Sequence, residues 1–391
     1  MTNADPIVIT SYARTPIGNL MGVLKSVTAT QLGTHVIRAL IQRANIAETH
    51  VDEVFMGCVL PAGLGQAPAR QAALNAGLSE HTTCTTINKV CGSGMKAIML
   101  AHDSLMQGSS STVIAGGMES MSNAPYLLKK ARGGYRLGHG ELFDHLMLDG
   151  LEDAYEPGRS MGSFAEACAR ALNISRESQD AFALRSFERA RAADFKQEMV
   201  PITLTEKNNE TTITHDERKE SVNFKNIPQL KPVFANPGTI TAGNASSIAD
   251  GAAGIMLMRL SQAKTLGLTP IAKICGHASF AKKPAEFTTA PIDATQRLLK
   301  QLEWSTNDVD LFEVNEAFAV VALAFMQALH LPPEKVNIHG GACALGHPIG
   351  ASGARILVTL LGALQSQGKK RGIATLCIGG GEATAIAVEC L

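Results

Sequence analysis

Apolar and polar positions alternate along this chain between two periods. Residues 6–11 (PIVITS) form a continuous apolar run of strand type, and residues 51–59 form another. Between them, Leu32, Val36, Ile37, Leu40 and Ile41 recur at helical spacing and predict a helix over residues 28–43. Residues 95–106 predict a second helix, and residues 112–116 a buried strand that runs into glycines. This order predicts an α/β fold with a mainly parallel core sheet.

The order returns in the last third of the chain with matching residues. Val90-Cys91-Gly92-Ser93-Gly94-Met95-Lys96 lines up with Ile349-Gly350-Ala351-Ser352-Gly353-Ala354-Arg355, and Val51-Asp52 with Val309-Asp310. A third match pairs Val113-Ile114, entering Gly116-Gly117, with Cys377-Ile378, entering Gly379-Gly380-Gly381. Three matches in order predict a duplicated α/β half. The expected domains are an N-terminal half of residues 1–120 with 247–270, an inserted unit of residues 121–246, and a C-terminal half of residues 271–391. The insertion differs in texture, with GGYRLGHGE, an Arg-rich helical stretch near 176–193 and the polar run TEKNNETTITHDERKE. Such an insertion is expected to lie over the scaffold and to carry binding function.

Charge narrows the function classes. Lys plus Arg and Asp plus Glu number 35 each, so there is no broad cationic face for nucleic acid. A local cationic patch for one phosphorylated ligand stays compatible with that balance. Apolar residues make up 45% and charged residues 18%, a globular composition. No apolar run reaches the ~18 residues of a membrane span, and the N-terminal sequence lacks a basic region followed by an apolar core. We therefore expect no membrane partner and a cytoplasmic setting. The eight cysteines are dispersed without CxxC pairs, against a zinc or thioredoxin-type site, and are expected to be reduced.

Four segments carry candidate chemistry. Cys91 lies between a strand-like run and a helix, where a helix N-terminus stabilises a thiolate. Cys377 ends a strand and opens a glycine turn, whose backbone N–H groups suit an oxyanion. His347 lies in a glycine-dense loop three residues before Gly350, the repeat partner of Cys91. The duplication places it opposite Cys91, where a Cys–His pair makes a thiolate and shuttles its proton. Asn315 follows the strand-like run 309–314 and suits either a water-holding role or a helix N-cap.

Together with SYARTPIG, INKVCGSGMKA, AGGMESMS, GYRLG, TAGNAS, EVNEAF, GGACALGHPIGASGAR and CIGGGEATA, these segments closely resemble the thiolase family, in particular its short-chain branch, nearly end to end. The resemblance implies a duplicated, layered αβαβα fold with an inserted loop domain. It implies reversible Claisen condensation of two acetyl-CoA to acetoacetyl-CoA and CoA through an S-acetyl-cysteine, with a place in fatty-acid metabolism. Coenzyme A thioesters would be substrates, with no cofactor and no metal, and the assembly a homotetramer of two tight dimers. Cys91 would be the nucleophile, and His347 its base. His347 with an Asn315-held water would form one oxyanion hole, and the N–H groups of Cys91 and Gly379 the other. Cys377 would exchange the α-proton. Met161, Phe234, Ala242, Ser246 and Ile248 would line the coenzyme A groove, Phe318 would border the acyl pocket, and Arg218 and Lys219 would approach the nucleotide.

The sequence departs from the family in places. Ser160 stands where the short-chain branch has histidine, His339 adds an imidazole near the site, Lys219 stands where the potassium-activated branch has tyrosine, and Glu382 has no counterpart role. The alternatives are a degradative 3-ketoacyl-CoA thiolase of broader chain length, a decarboxylating ketoacyl synthase and a non-catalytic coenzyme A or lipid binder. The second cysteine in CIGGG argues against the synthase.

Overall fold

The structure, a computed structural model, describes residues 5–206 and 209–391. The N-terminal half runs β1 (Ile7–Arg14), α1 (Ala29–Ala44), β2 (Glu53–Gly57), α2 (Pro68–Asn75), β3 (Thr83–Ile87), α3 (Ser93–Gln107) and β4 (Thr112–Ser120). The insertion follows with α4 (Met161–Ala171) and α5 (Arg176–Ala192), and β5 (Ala249–Arg259) returns to the first sheet. The C-terminal half runs β6 (Ala272–Ala281), α6 (Ala290–Leu302), β7 (Leu311–Val314), α7 (Ala319–Leu329), α8 (Ile349–Ser366), β8 (Arg371–Ile378) and β9 (Glu382–Cys390).

Local sequence explains these elements. All eight residues of β1 are buried, as its place in the middle of the sheet requires. Helix α1 starts at a capping box: Thr28 Oγ1 accepts from the Gln31 N–H at 3.3 Å, and Gln31 Oε1 accepts from the Thr28 N–H at 2.8 Å. It stops at Asn45, whose φ of 51° is left-handed. Its five predicted apolar positions are all buried.

The strand order is β7-β8-β9-β6-β1-β5-β4-β2-β3, with Gly18–Asn19 added beside β5. Five of the eight neighbouring pairs are antiparallel, and only β2–β3, β2–β4 and β7–β8 are parallel. The expected mainly parallel sheet is thus corrected to a mixed one. Strand β9 leaves β8 through the three-residue glycine turn, and so tight a turn reverses the chain.

Four strands repeat in order between the halves, as β1-β5-β4-β2 and β6-β9-β8-β7, and β3 adds an edge strand to the first half. The Asp52 carboxylate accepts the N–H groups of Ser111 and Thr112, and that of Asp310 accepts those of Lys370 and Arg371. These bonds fix the true register. Val113, opposite Glu53, corresponds to Gly372, opposite Leu311. The third sequence match, of Val113 with Cys377, is therefore a chance likeness, and the other two hold.

The halves meet weakly edge to edge, where β1 and β6 share two Cα pairs. Their main union is a helical layer. Helices α3 and α8 pack on each other and on strands of both halves, while α1 lies on the first sheet and α6 on the second. A Cβ on Gly353 would collide with the Met95 backbone, and one on Gly117 with the Gly350 carbonyl, so glycine permits this close approach. The layer α–β–α–β–α that results is the expected one. Helix α8 is apolar and long enough to cross a membrane, yet 83% of it is buried between the sheets.

The insertion is tied down by charge. Arg14, wholly buried in β1, pairs with Asp216 at 2.7 Å and with Glu198. A buried guanidinium needs such partners to offset its lost hydration.

Candidate active site

Cys91 sits on the turn between β3 and α3. Val90 before it has φ 46°, a left-handed value that costs a β-branched residue strain. Local bonds hold that turn: Asn88 Oδ1 accepts from the Val90 N–H at 3.0 Å, and Ser93 Oγ donates to the Val90 carbonyl at 2.6 Å. The backbone N–H groups of Gly379 and of Cys91 itself both favour the ionised form of the Cys91 thiol. One donor comes from each half of the molecule. Burial pushes the thiol up to about 11 against the pull of those two donors.

Cys377 is the penultimate residue of β8, buried in an apolar cluster with Phe287, Ala317 and Phe318. Burial, and then the neighbouring Cys91, raise its thiol well above the usual range. The two cysteines line one small cavity of about 70 Å³ with His347, Gly379, Met161, Phe287 and Phe318.

His347 is buried just before α8. Its Nδ1 lies 2.6 Å from Ser352 Oγ and 3.5 Å from Asn315 Nδ2. Ser352 Oγ also lies 2.9 Å from the Pro348 carbonyl, which can only accept. The serine hydrogen therefore goes to Pro348, and Nδ1–H donates to the serine. This assignment of tautomer leaves the lone pair on Nε2, which is buried and has no partner among the described residues. Burial, and then Arg355, hold the imidazole down at about 3, so it is a neutral base at physiological pH.

Asn315 ends the β7 run, and its N–H donates to the Thr375 carbonyl at 3.0 Å. It is not a helix cap, since α7 starts at Ala319 behind Phe318. Its Oδ1 is buried and has no partner among the described residues. Glu316 beside it is wholly buried and accepts from Ser186 at 2.7 Å, Asn337 at 2.9 Å and the Cys343 N–H at 3.0 Å, which fixes this loop to α5.

The small cavity shares Met161, Phe318, His347 and Ile349 with an adjoining groove of about 310 Å³ lined mainly by apolar side chains. Met161, Phe234, Ala242, Ser246, Ile248 and Phe318, all expected in a coenzyme A groove, line it. Two thiols, one neutral imidazole and two convergent N–H donors at the end of an apolar groove suit nucleophilic acyl transfer from a thioester.

The comparisons with known proteins agree with this chemistry. The thiolase N-terminal domain profile matches residues 7–261, and the thiolase C-terminal domain profile matches residues 268–390. The chain belongs to the thiolase family. Acetyl-CoA acetyltransferase 2 of Arabidopsis thaliana is 48% identical to this thiolase over 100% of this chain and 98% of its own. Acetyl-CoA acetyltransferase of Escherichia coli K12 is 49% identical over 98% of each chain. The crystal structure of a thiolase from Ascaris suum in complex with coenzyme A superposes with a TM-score of 0.94, at 40% identity over 99% of this chain and 100% of that one.

Arg218 and Lys219, expected near the nucleotide, are both held by carbonyls of the protein itself in this thiolase. Arg218 donates to the carbonyls of Cys343 and Ala242, both at 2.8 Å, and so braces the groove wall from behind. Lys219 is buried, bonds the Ala190 carbonyl at 3.2 Å and stacks on Phe195. It is absent from the groove lining. A short helix, Glu217–Ser221, turns both side chains inward, which the polar run did not reveal. His339 is likewise removed from the cavity, edge-on to Phe195. Ser160 does line the groove.

Glu382 acquires a partner. Its carboxylate pairs with Lys89, so an ion pair joins the loop of Cys91 to the loop of Gly379 across the seam. Sequence reasoning missed Leu151, Phe287 and Ile349 in the cavity wall. It also missed Ser352 behind His347, although the repeat aligns Ser352 with Ser93 and so carried a signal.

Proposed function

We propose that this thiolase is an acetyl-CoA C-acetyltransferase that works by a ping-pong mechanism. The observation that carries the reading is the unpartnered His347 Nε2 in a cavity with two thiols at the end of an apolar groove. In the first half-reaction, Cys91 Sγ attacks the acetyl carbonyl while His347 Nε2 takes the thiol proton. The N–H groups of Cys91 and Gly379 receive the oxyanion, a contribution of ~3–4 kcal/mol for one such donor. The C–S bond to coenzyme A breaks, the leaving thiolate takes the proton of the Cys377 thiol, and His347 keeps the proton it took from Cys91. In the second half-reaction, deprotonated Cys377 removes an α-proton from a second acetyl-CoA. His347 and an Asn315-held water stabilise the enolate oxygen. The enolate carbon attacks the acetyl-Cys91 carbonyl, Cys91 leaves as thiolate, and acetoacetyl-CoA departs. His347 returns its proton to Cys91, while Cys377 keeps the α-proton, which restores the resting pair of thiols.

Coenzyme A thioesters are substrates in this scheme, and it asks for no cofactor. The relatives' printed names support acetyl transfer, and so does the cavity, which Phe287, Met161 and Phe318 hold to about 70 Å³. The test is a thiolysis panel. Acetoacetyl-CoA should be cleaved far faster than eight- to sixteen-carbon ketoacyl-CoA. Equal rates would favour the broad degradative enzyme.

The reading extends to a homotetramer in a reducing, cytoplasmic compartment that serves fatty-acid metabolism. Exposed apolar side chains on the insertion support assembly: Tyr126, Leu142 and Leu137, the last 99% exposed. Light scattering should give a particle four times the 41.3 kDa chain mass. The eight cysteines, free in this structure, support a reducing compartment.

A further inference from the structure

At the opposite end of α3 from Cys91, two histidines meet across the seam between the halves. His102 and Asp103 lie on α3, and His277 lies on β6. A bulge aims His277. The pairing of β6 with β9 slips between Ile274 and Gly276, which inserts Cys275 as an extra residue. Before the bulge, Ile274 packs into the central helical layer. After it, Gly276 faces Leu298 and Leu302 of α6, and Ala278 packs on the same outer side. His277, between them, is thereby turned toward α3.

Asp103 Oδ1 lies 3.3 Å from His102 Nδ1 and 2.9 Å from His277 Nε2. The three donor atoms all lie within 4.8 Å of one another. The imidazole rings are edge-on at 5.1 Å. Tetrahedral zinc with N and O ligands near 2.0–2.2 Å needs donors ~3.3 Å apart, so two of the three edges are already close to that length. Both imidazoles are mostly covered, while the Asp103 carboxylate is half exposed. That leaves a route in and room for a solvent ligand. Burial, and then His277, lower the His102 imidazole, which keeps its lone pair available.

We propose that His102, Asp103 and His277 form a binding site for a borderline divalent transition metal, zinc foremost, remote from the acyl-transfer chemistry. The metal joins α3 of the N-terminal half to β6 of the C-terminal half, and it binds the folded chain only. Zinc should therefore raise the unfolding temperature by an amount that grows with the logarithm of its free concentration over its dissociation constant.

The test uses the full-length enzyme with Cys91 and Cys377 alkylated, so that the active-site thiols cannot supply ligands. Cobalt(II) titration should show one site per chain, with visible d–d absorption and no thiolate charge-transfer band, and zinc should displace it. His277→Gln and His102→Gln should each weaken binding at least ~10-fold, the smallest loss seen even for an outer partner of a metal ligand. Both variants, before alkylation, should keep wild-type thiolysis and, with chelator present, a wild-type unfolding temperature. No saturable cobalt site in the alkylated wild type would overturn the proposal. So would equal affinity in wild type and both variants. Should one variant misfold, the other and Asp103→Asn read out the same site.

Discussion

The N-termini of α3 and α8 are equivalent positions in the two halves, yet they hold different things. At α8, the Glu119 carboxylate accepts the Gly350 N–H at 2.8 Å, and those of Val59 and Leu60 at 2.9 and 3.1 Å. The protein's own carboxyl group occupies that pole. At α3, Cys91 takes the place of Gly350, and burial keeps its thiol neutral at rest against the pull of the Gly379 and Cys91 N–H groups. The same frame is thus satisfied internally on one side and kept for a transient negative charge on the other. Duplication supplies two polarised helix ends, and one carboxylate decides which of them is free for chemistry.

The comparison breaks most completely at the cysteines. Cys91→Ala should abolish the acyl-enzyme, seen by mass spectrometry as loss of a ~42 Da adduct after acetyl-CoA. Cys377→Ala should still form the adduct but lose at least ~10²-fold in condensation, the worth of a positioned proton-transfer group. An adduct that persists in the first variant and vanishes in the second would reverse the roles.

The resting neutrality of Cys91 can be read by alkylation. Its thiol stands at about 11, so the thiolate fraction near pH 8 is ~10²-fold below that of a thiol at 9. Iodoacetamide should modify Cys91 slowly at neutral pH and ever faster up to about pH 11, with no inflection between pH 6 and 9. His347, held near 3, adds no step in that window. An inflection near pH 7 would instead reveal a thiolate–imidazolium pair at rest.

Filling the α8 pole wrongly should cost stability. Glu119→Gln places amide hydrogens against backbone N–H donors, and we expect a loss of ~2–4 kcal/mol in urea unfolding. An unchanged midpoint would show that the pole needs no anion.

The smallest effect concerns the strap between the two catalytic loops. Lys89→Met or Glu382→Gln should lower the acylation rate only a few-fold, since a half-exposed pair contributes ~0.5–1 kcal/mol. The exchange Lys89→Glu with Glu382→Lys should recover the rate if charge pairing positions Gly379. Equal losses in the single variants and the exchange would mean the loops hold without it.

Local physics made much of this protein legible. The helix α1, the equivalence of Cys91 with Gly350 and the cysteine, histidine and asparagine candidates were readable because each rests on residues close in sequence. Chain direction in the sheet was not, since period and composition say which segments are strands and not how distant ones pair. Arg218 and Lys219 misled for a similar reason. A cationic run looks solvated until a short helix turns it toward the carbonyls of Cys343, Ala242 and Ala190. Glu382 stayed silent because its partner Lys89 lies 293 residues away.

By itself, then, the sequence determined the elements, the duplication and the reactive side chains, all properties of short segments. Tertiary structure alone decided which helix end stays open and where the proton on His347 resides. It also brought a thiol from each half into one cavity. Those outcomes depend on burial and on hydrogen bonds between residues far apart in the chain, such as Glu119 to Gly350 and Gly379 to Cys91. Such contacts acquire their strength only once the packed halves exclude water.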